Sequence, residues 1–249
     1  MTPHRSSAGL ATLGLAILLT TGTARGQDAP VPSQILRPLD GSTVPARDHA
    51  QWEREIAAFE AKDREHMPAK GGILFTGSSV IRLWKTLGDD FAGLPVINRG
   101  FGGSEIADAT HFAERIIFPH EPKQIVLRAG GNDIHNGRLP SEVAADFQDF
   151  VRTVHRRLPR TEILYIGVNP APVRWGETDK MRDLNRRIRA LALEMPFVTY
   201  IDGFDLGLDP SHPDRADPDV FVADRLHFNA EGYKRLTERV RPYLPLPKR

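Results

Sequence analysis

Two polar groups far apart along the chain have the residue types that nucleophilic catalysis requires. Ser79 follows a glycine turn and opens a predicted helix, where free backbone N–H groups favour a developing negative charge. Asp224 stands three residues before His227, so the histidine could take the serine proton while the carboxylate orients its ring. Each pattern also has a plainer explanation, because Ser78 or Ser79 could simply cap the helix and an Asp-x-x-His segment is often structural.

Three further groups could donate hydrogen bonds to the oxyanion of a tetrahedral intermediate. They are the backbone N–H of Ser79, the backbone N–H of Gly103 and the side-chain amide of Asn132, each placed just after a predicted strand. Gly103 could instead belong only to a turn, and Asn132 could close an Asx-turn. Together with a serine, a histidine and an aspartate, these donors predict ester hydrolysis through an acyl-enzyme.

The elements that must position these residues can be predicted from hydrophobic patterning. After an amphipathic helix at about 52–66, the chain has five short apolar runs, at 72–76, 95–98, 124–128, 163–167 and 197–201. Helix-like stretches lie between and after them, at 80–87, 105–117, 141–158, 179–194 and 230–244. The alternation predicts one domain, a doubly wound three-layer α/β/α sandwich around a parallel sheet of about five strands.

The ligand crevice of such a sheet lies beyond the carboxyl ends of its strands. The polar segments stand there, and they resemble the conserved blocks of the SGNH or GDSL serine hydrolases, a family of esterases and lipases. The segments that carry the resemblance are Phe75-Thr76-Gly77-Ser78-Ser79, Asn98-Arg99-Gly100-Phe101-Gly102-Gly103, Gly130-Gly131-Asn132-Asp133 and Asp224-Arg225-Leu226-His227. They occur in the order of the family, and the resemblance covers about residues 72–243.

The resemblance implies a flavodoxin-like sandwich that uses no metal and no organic cofactor. It assigns Ser79 as the nucleophile and Asp224 and His227 as the rest of a catalytic triad. It also assigns Ser79, Gly103 and Asn132 to the oxyanion hole. One position departs from the family, because Ser78 stands where the first block usually has aspartate, which leaves the hydrogen bonding beneath the nucleophile open.

Two residues at the predicted crevice are candidates for substrate binding. Arg128 ends the third predicted strand, and it could either pair with a carboxylate such as Asp133 or face the substrate. Trp175 lies on a Pro-rich loop after the fourth strand, where it could stack on a sugar, cover an acyl chain or pack as a lid. We expect a small-molecule or carbohydrate ester as the substrate, with an O-acetyl group first. The alternatives are lysophospholipid or thioester cleavage, or a non-catalytic module that binds acetylated glycans.

Composition excludes several other classes of function. Lys and Arg total 33 against 32 for Asp and Glu, so no net field would draw the chain to nucleic acid or to an anionic membrane. The absence of cysteine excludes a thiolate nucleophile, a disulfide framework and a lipidated cysteine. The acidic segment 209–219 lacks the spacing of an EF-hand, so we predict a solvated loop there and no metal site.

The first residues have the layout of a secretory signal peptide. Arg5 precedes an apolar run at 8–19, and small residues follow at 21–24. That run is shorter than a membrane span, so we expect cleavage before Gln27 rather than a stable anchor, and an exported protein of a bacterial periplasm or exterior. The predicted organisation is a signal peptide at 1–26, an extended Pro-rich leader at 27–47 and a hydrolase domain at 48–249. The sequence predicts no oligomeric state.

Overall fold

A computed structural model describes residue 1 and residues 47–246. The predicted signal peptide at 1–26 and leader at 27–47 therefore lie almost entirely outside the described residues, as does the predicted cleavage site before Gln27. Within 47–246, no helix combines the length and the apolar character that a membrane span requires.

Five parallel strands form the central sheet, as predicted. They are β1 (Ile73–Gly77), β2 (Val96–Gly100), β3 (Gln124–Arg128), β4 (Glu162–Ile166) and β5 (Val198–Ile201). Their spatial order is β2-β1-β3-β4-β5, so the chain reverses its direction of winding between β1 and β3. The carboxyl ends of these two strands meet at the reversal point, with Gly77 paired to Gly100 on one side and to Arg128 on the other. Open α/β sheets bind their ligands at this kind of point.

Helices cover both faces of the sheet, which confirms the three-layer prediction. They are α1 (Glu53–Glu65), α2 (Ser79–Arg82), α3 (Leu87–Asp90), α4 (Ile106–His111), α5 (Ala113–Ile116), α6 (Gly131–His135), α7 (Pro140–Arg157), α8 (Thr178–Glu194) and α9 (Ala230–Val240). One buried apolar cluster joins the sheet to α1, α4, α5, α7 and α8. A second cluster joins the opposite face to α2, α3 and α9.

Three of the predicted helices are shorter or broken in the structure. The stretch 80–87 forms α2 and α3, which are separated where the buried Trp84 packs against Phe75 and Phe91. The stretch 105–117 forms α4 and α5, because Phe112 between them leaves the helical conformation to pack against Phe101. The last helix ends at Val240 rather than near 244, ahead of a proline that has no N–H to continue it.

The acidic segment that we predicted to be a solvated loop contains a small β-hairpin. Its strands, β6 (Leu208–Asp209) and β7 (His212–Ala216), pair antiparallel. Asp209 accepts hydrogen bonds from Arg215, at 2.7 Å and 3.0 Å, and Asp217 accepts one from Arg235 of α9 at 2.8 Å. The segment is mostly exposed, as predicted, but its backbone pairs and its carboxylates bind arginines, so it is a hairpin and not an irregular loop.

Candidate active site

A glycine turn after β1 places Ser79 at the carboxyl edge of the sheet. Gly77 has φ +124°, and a Cβ at this position would lie 2.1 Å from the carbonyl oxygen of Arg128, so only glycine fits. The N–H of Ser78 donates to the same carbonyl at 3.0 Å. The side chain of Ser78 makes no capping hydrogen bond. The backbone therefore anchors the turn, and the position where the family usually has aspartate provides no capping side chain here.

The structure brings His227 to Ser79 and Asp224. His227 Nε2 lies 3.0 Å from Ser79 Oγ, and Nδ1 lies 2.7 Å from Asp224 Oδ2. The other carboxylate oxygen accepts the backbone N–H groups of Leu226 at 2.9 Å and of His227 at 3.0 Å. The hydrogen bond from His227, together with these two, holds the pKa of Asp224 at about 2. Asp224 is thus a carboxylate at neutral pH and can fix the orientation of the imidazole.

Gly103 and Asn132, the other two predicted oxyanion donors, line the same cleft as Ser79 and His227. Gly103 has φ +79°, a conformation that favours glycine. Asn132 lies in α6, and its Nδ2 donates to the carbonyl of Ser104 at 3.1 Å. An amide nitrogen carries two hydrogens, so one remains for a ligand.

Arg174 fixes the amide of Asn132 from the other side. Its Nη1 donates to Asn132 Oδ1 at 3.0 Å and to the carbonyl of Gly131 at 3.3 Å. Because the oxygen of the amide is held by a cation, its nitrogen must face the other way. Sequence reasoning missed Arg174 and chose its neighbour Trp175 on the same loop, since no pattern indicates which side chain of an irregular loop turns towards the sheet.

Asp133, the residue after Asn132, connects two of the polar segments from within the core. Its Oδ1 accepts the N–H of Ile106 at 3.1 Å, at the start of α4, while Oδ2 is buried without a hydrogen-bond partner among the described residues. Burial is the main cause, and the nearby Glu105 a further one, of a rise in the pKa of Asp133 to about 7.

Arg128 does not form the ion pair with a carboxylate that the sequence left open. Its guanidinium donates to the carbonyl of Gly167 at 3.3 Å and to Asn169 Oδ1, and it lies 5.6 Å from the centre of the Phe228 ring. It does not pair with Asp133. Burial lowers the pKa of Arg128 to about 10. The side chain also lines the cleft, so it belongs to the site without an ion pair among the described residues.

The cleft has a volume of about 460 Å³. Its lining includes Ser79 and His227 as well as Arg82, a residue that the sequence patterns did not single out. Trp175 lies elsewhere, in a neighbouring depression that it shares with Arg215 of the hairpin. The structure therefore places six of the seven predicted site residues at or beside one cleft and separates Trp175 from them.

Comparison with known proteins identifies the family of the chain. Residues 76–235 match the sequence profile of the GDSL-like lipase/acylhydrolase family, which is more than half of the chain. The chain belongs to this family. As a GDSL-family protein it is a carboxylic ester hydrolase, and the family prediction is confirmed. A search of curated proteins by sequence found no match.

Solved structures with the same fold include other members of the GDSL group. A protein from Streptococcus pneumonia, provisionally described as a platelet activating factor, is 20% identical with a TM-score of 0.69, over 79% of this chain and 94% of its own. A GDSL-like lipase from Bacteroides thetaiotaomicron is 18% identical with a TM-score of 0.62, over 79% and 96%. An acetylxylan esterase from Geobacillus stearothermophilus is 15% identical with a TM-score of 0.55, over 73% and 98%. At these identities the likeness shows the fold.

Proposed function

We propose that the protein is a serine esterase that removes small acyl groups, above all O-acetyl groups, from carbohydrate esters. The observation that carries the proposal is the 3.0 Å contact between Ser79 Oγ and His227 Nε2, two residues 148 positions apart in the chain. A hydroxyl next to an imidazole that a carboxylate orients is the arrangement that activates serine as a nucleophile.

In the first half of the proposed reaction, Ser79 Oγ attacks the carbonyl carbon of the ester while its proton passes to His227 Nε2. The carbonyl oxygen becomes an oxyanion, which the N–H groups of Ser79 and Gly103 and the amide of Asn132 stabilise. Collapse of this intermediate breaks the bond to the alcohol, which leaves with the proton from His227. The acetyl group is now esterified to Ser79, and Asp224 has balanced the charge of the imidazolium throughout.

Water completes the cycle. His227 takes a proton from water as its oxygen attacks the acetyl-serine, and the same proton then returns to Ser79 Oγ when the acyl bond breaks. The products are acetate and the free alcohol, and no electrons are exchanged with a cofactor. Loss of a single oxyanion donor costs about 2.7–4 kcal/mol of transition-state stabilisation, so removal of the Asn132 side-chain amide should have a measurable effect.

The shape of the cleft favours a small acyl group. About 460 Å³ accommodates an acetyl ester with part of a sugar, and the apolar lining consists of a few side chains, among them Val168, Met181 and Leu226. An acetylxylan esterase is among the proteins with the same fold, which supports a carbohydrate substrate. We also propose that residues 1–26 export the protein, which would bring it to extracellular polysaccharide.

The test is acetate release from 4-nitrophenyl acetate and from acetylated oligosaccharides by the wild type and Ser79→Ala. We expect the variant to lose about 10⁴- to 10⁶-fold in kcat while its circular dichroism spectrum and melting temperature stay unchanged. Ser211→Ala, which changes an exposed serine in the hairpin, is the matched control and should keep full activity. A folded Ser79→Ala protein with wild-type turnover would refute the proposal.

A further inference from the structure

The cleft around Ser79 carries an excess of positive charge that the whole chain does not have. Arg82, Arg128 and Arg174 line it, whereas Glu55 is the single acidic residue of the lining among residues 47–246. None of these three arginines lies within 4 Å of a carboxylate in the part of the chain that the structure describes. The chain as a whole is nearly balanced, with 33 basic and 32 acidic residues, so the excess is a property of this site.

Elsewhere in the molecule, arginines that are partly buried have carboxylate partners. Such pairs are Arg47–Asp146, Arg99–Asp63, Arg115–Glu60, Arg235–Asp217 and Arg239–Asp205. Burying a guanidinium without a counter-charge is costly, so an unpaired buried arginine needs another source of negative charge. Arg128 is 3% exposed, and its acceptors in the described part of the chain are a carbonyl and an amide oxygen. An anionic ligand in the cleft would provide the missing counter-charge.

Arg82 is the cleft arginine that is free to bind such a ligand. Arg128 and Arg174 already donate to protein oxygens, whereas the side chain of Arg82 makes no hydrogen bond or ion pair among the described residues. Its guanidinium packs against Gly102, where a Cβ would stand 2.7 Å from Nε and 3.1 Å from Nη2. Gly102 directly precedes Gly103, the proposed oxyanion donor, so the free cation lies next to the reacting centre.

Exposure alone would not distinguish Arg82, because exposed arginines without partners are common. Arg54 on α1 and Arg156 on α7 are also exposed and make no hydrogen bond or ion pair in the described structure. They stand on outer helix faces and do not line the cleft of Ser79. The combination of a missing partner, a position against Gly102 and two further unpaired arginines in one cleft therefore sets Arg82 apart.

We propose that the substrate is an O-acetylated acidic sugar whose carboxylate binds the guanidinium of Arg82. This inference rests on the proposed esterase function and narrows its substrate class. The planar guanidinium fork matches a carboxylate and can donate two parallel hydrogen bonds to it. A lipid substrate fits less well, because the lining offers no extended apolar wall for a long chain. Arg128 and Arg174 raise the potential of the whole cleft and favour entry of an anion.

The experiment compares two acetylated sugars that differ only in charge. One is an O-acetylated methyl glucuronoside, and the other is its uncharged carboxamide, the O-acetylated methyl glucuronamide. 4-Nitrophenyl acetate, which is small and neutral, reports the basal reaction. For the wild type we expect kcat/KM to be about tenfold higher for the carboxylate than for the amide, mainly through KM, and the preference should fall as salt is added.

Arg82→Gln should abolish the preference, with a much larger loss of kcat/KM on the glucuronoside than on 4-nitrophenyl acetate and the glucuronamide. Arg156→Gln is the matched control, since it removes an exposed arginine outside the cleft, and should retain the full preference. Arg82→Lys keeps the charge but not the planar fork, and should restore part of the preference.

Several results would overturn the inference. Equal kcat/KM for the two sugars would do so, as would an equal loss on all three substrates in Arg82→Gln. A preference for 1-acetylglycerol 3-phosphate over monoacetylglycerol, without one for the glucuronoside, would replace the acidic sugar by a phosphate-bearing alcohol. No hydrolysis of 4-nitrophenyl acetate would instead refute the esterase function itself, so the two failures are distinguishable.

Discussion

The carboxylate of the proposed triad is organised almost entirely by its own segment. Asp224 accepts hydrogen bonds from Nδ1 of His227 and from two backbone N–H groups within three residues. Arg225, which lies between Asp224 and His227, has φ +59°. We therefore expect Asp224→Asn to lower kcat by about 10⁴-fold with little change in KM, because an amide would favour the wrong tautomer of His227. Steady-state kinetics with 4-nitrophenyl acetate test this. Asp219→Asn, an exposed position, should behave as the wild type.

A second prediction concerns Arg174 as a positioning residue. Its hydrogen bond to Asn132 Oδ1 keeps the amide nitrogen, which is the proposed oxyanion donor, pointing away from the guanidinium. We expect Arg174→Gln to lower kcat about tenfold and to leave KM nearly unchanged, whereas Asn132→Ala should lower kcat by about 10²- to 10³-fold.

The double variant decides whether Arg174 acts through Asn132. If it does, Arg174→Gln should add almost nothing to the loss in an Asn132→Ala background, since residues that share one interaction are not additive. Multiplicative losses would contradict the positioning role and assign Arg174 a separate effect. Measurement of kcat for the four proteins of the cycle is sufficient.

At the scale of elements, α1 supports the loop that carries Gly103. Trp52, just before this helix, donates its indole N–H to the carbonyl of Gly102 at 2.7 Å. The helix is further joined to β2 by the ion pair of Asp63 with Arg99 and to the segment before β3 by the contact of Asp63 with His120 at 3.1 Å. The start of a helix outside the sheet thus holds the residue before Gly103, the proposed oxyanion donor.

Trp52→Phe removes this hydrogen bond and keeps most of the apolar side chain. We expect a few-fold lower kcat and a decrease of about 1–3 kcal/mol in the free energy of unfolding, because the carbonyl of Gly102 loses its partner. Thr161→Val is the matched control, since its hydroxyl donates to the carbonyl of Pro122 before β3, away from the cleft. The control should lower stability but leave kcat unchanged; equal kcat in both variants would contradict the support role of α1.

The elements differ in how far the sequence defines them. All five strands were predictable within a few residues because each contains buried apolar side chains, although Asn98 in β2 is half-buried and Thr199 in β5 is exposed. The breaks at Trp84 and Phe112 were not, since large aromatic side chains fit the periodicity of a helix and leave it only when a tertiary contact requires it. The hairpin at 208–216 escaped prediction because polar residues form its strands and arginine pairs stabilise it.

At the scale of the whole molecule, the buried Asp133 couples folding to pH. Its pKa of about 7 in the folded protein exceeds that of an aspartate in an unfolded chain, about 3.9. The folded state therefore holds the proton more tightly between these pH values, and the free energy of unfolding contributed by this group falls as pH rises from about 4 to 7. We therefore expect that at pH 8 the carboxylate is charged while one of its oxygens has no hydrogen-bond partner among residues 47–246.

Asp133→Asn should reduce this dependence, since asparagine still accepts the N–H of Ile106 and carries no charge. Between pH 5 and 8 we expect the wild type to lose on the order of 2 kcal/mol more unfolding free energy than the variant. Urea unfolding at both pH values measures the difference, and Asp214→Asn, at an exposed position, should follow the wild type. Parallel pH profiles for wild type and Asp133→Asn would show that Asp133 does not titrate in this range.

The sequence by itself determined the order of the strands along the chain, the three-layer class and the residues that we propose to catalyse ester hydrolysis. These follow from local causes: burial patterns set the strands, Gly77 sets the turn at Ser79, and Asp224 reaches His227 over a short loop. Only the tertiary structure decided what lies between the elements. It placed Ser79 Oγ 3.0 Å from His227 Nε2, and it placed Arg174 rather than Trp175 in the cleft. It also placed there arginines that have no carboxylate partner among the described residues. Such contacts join residues far apart in the chain, so they depend on how the sheet is wound and not on any local pattern.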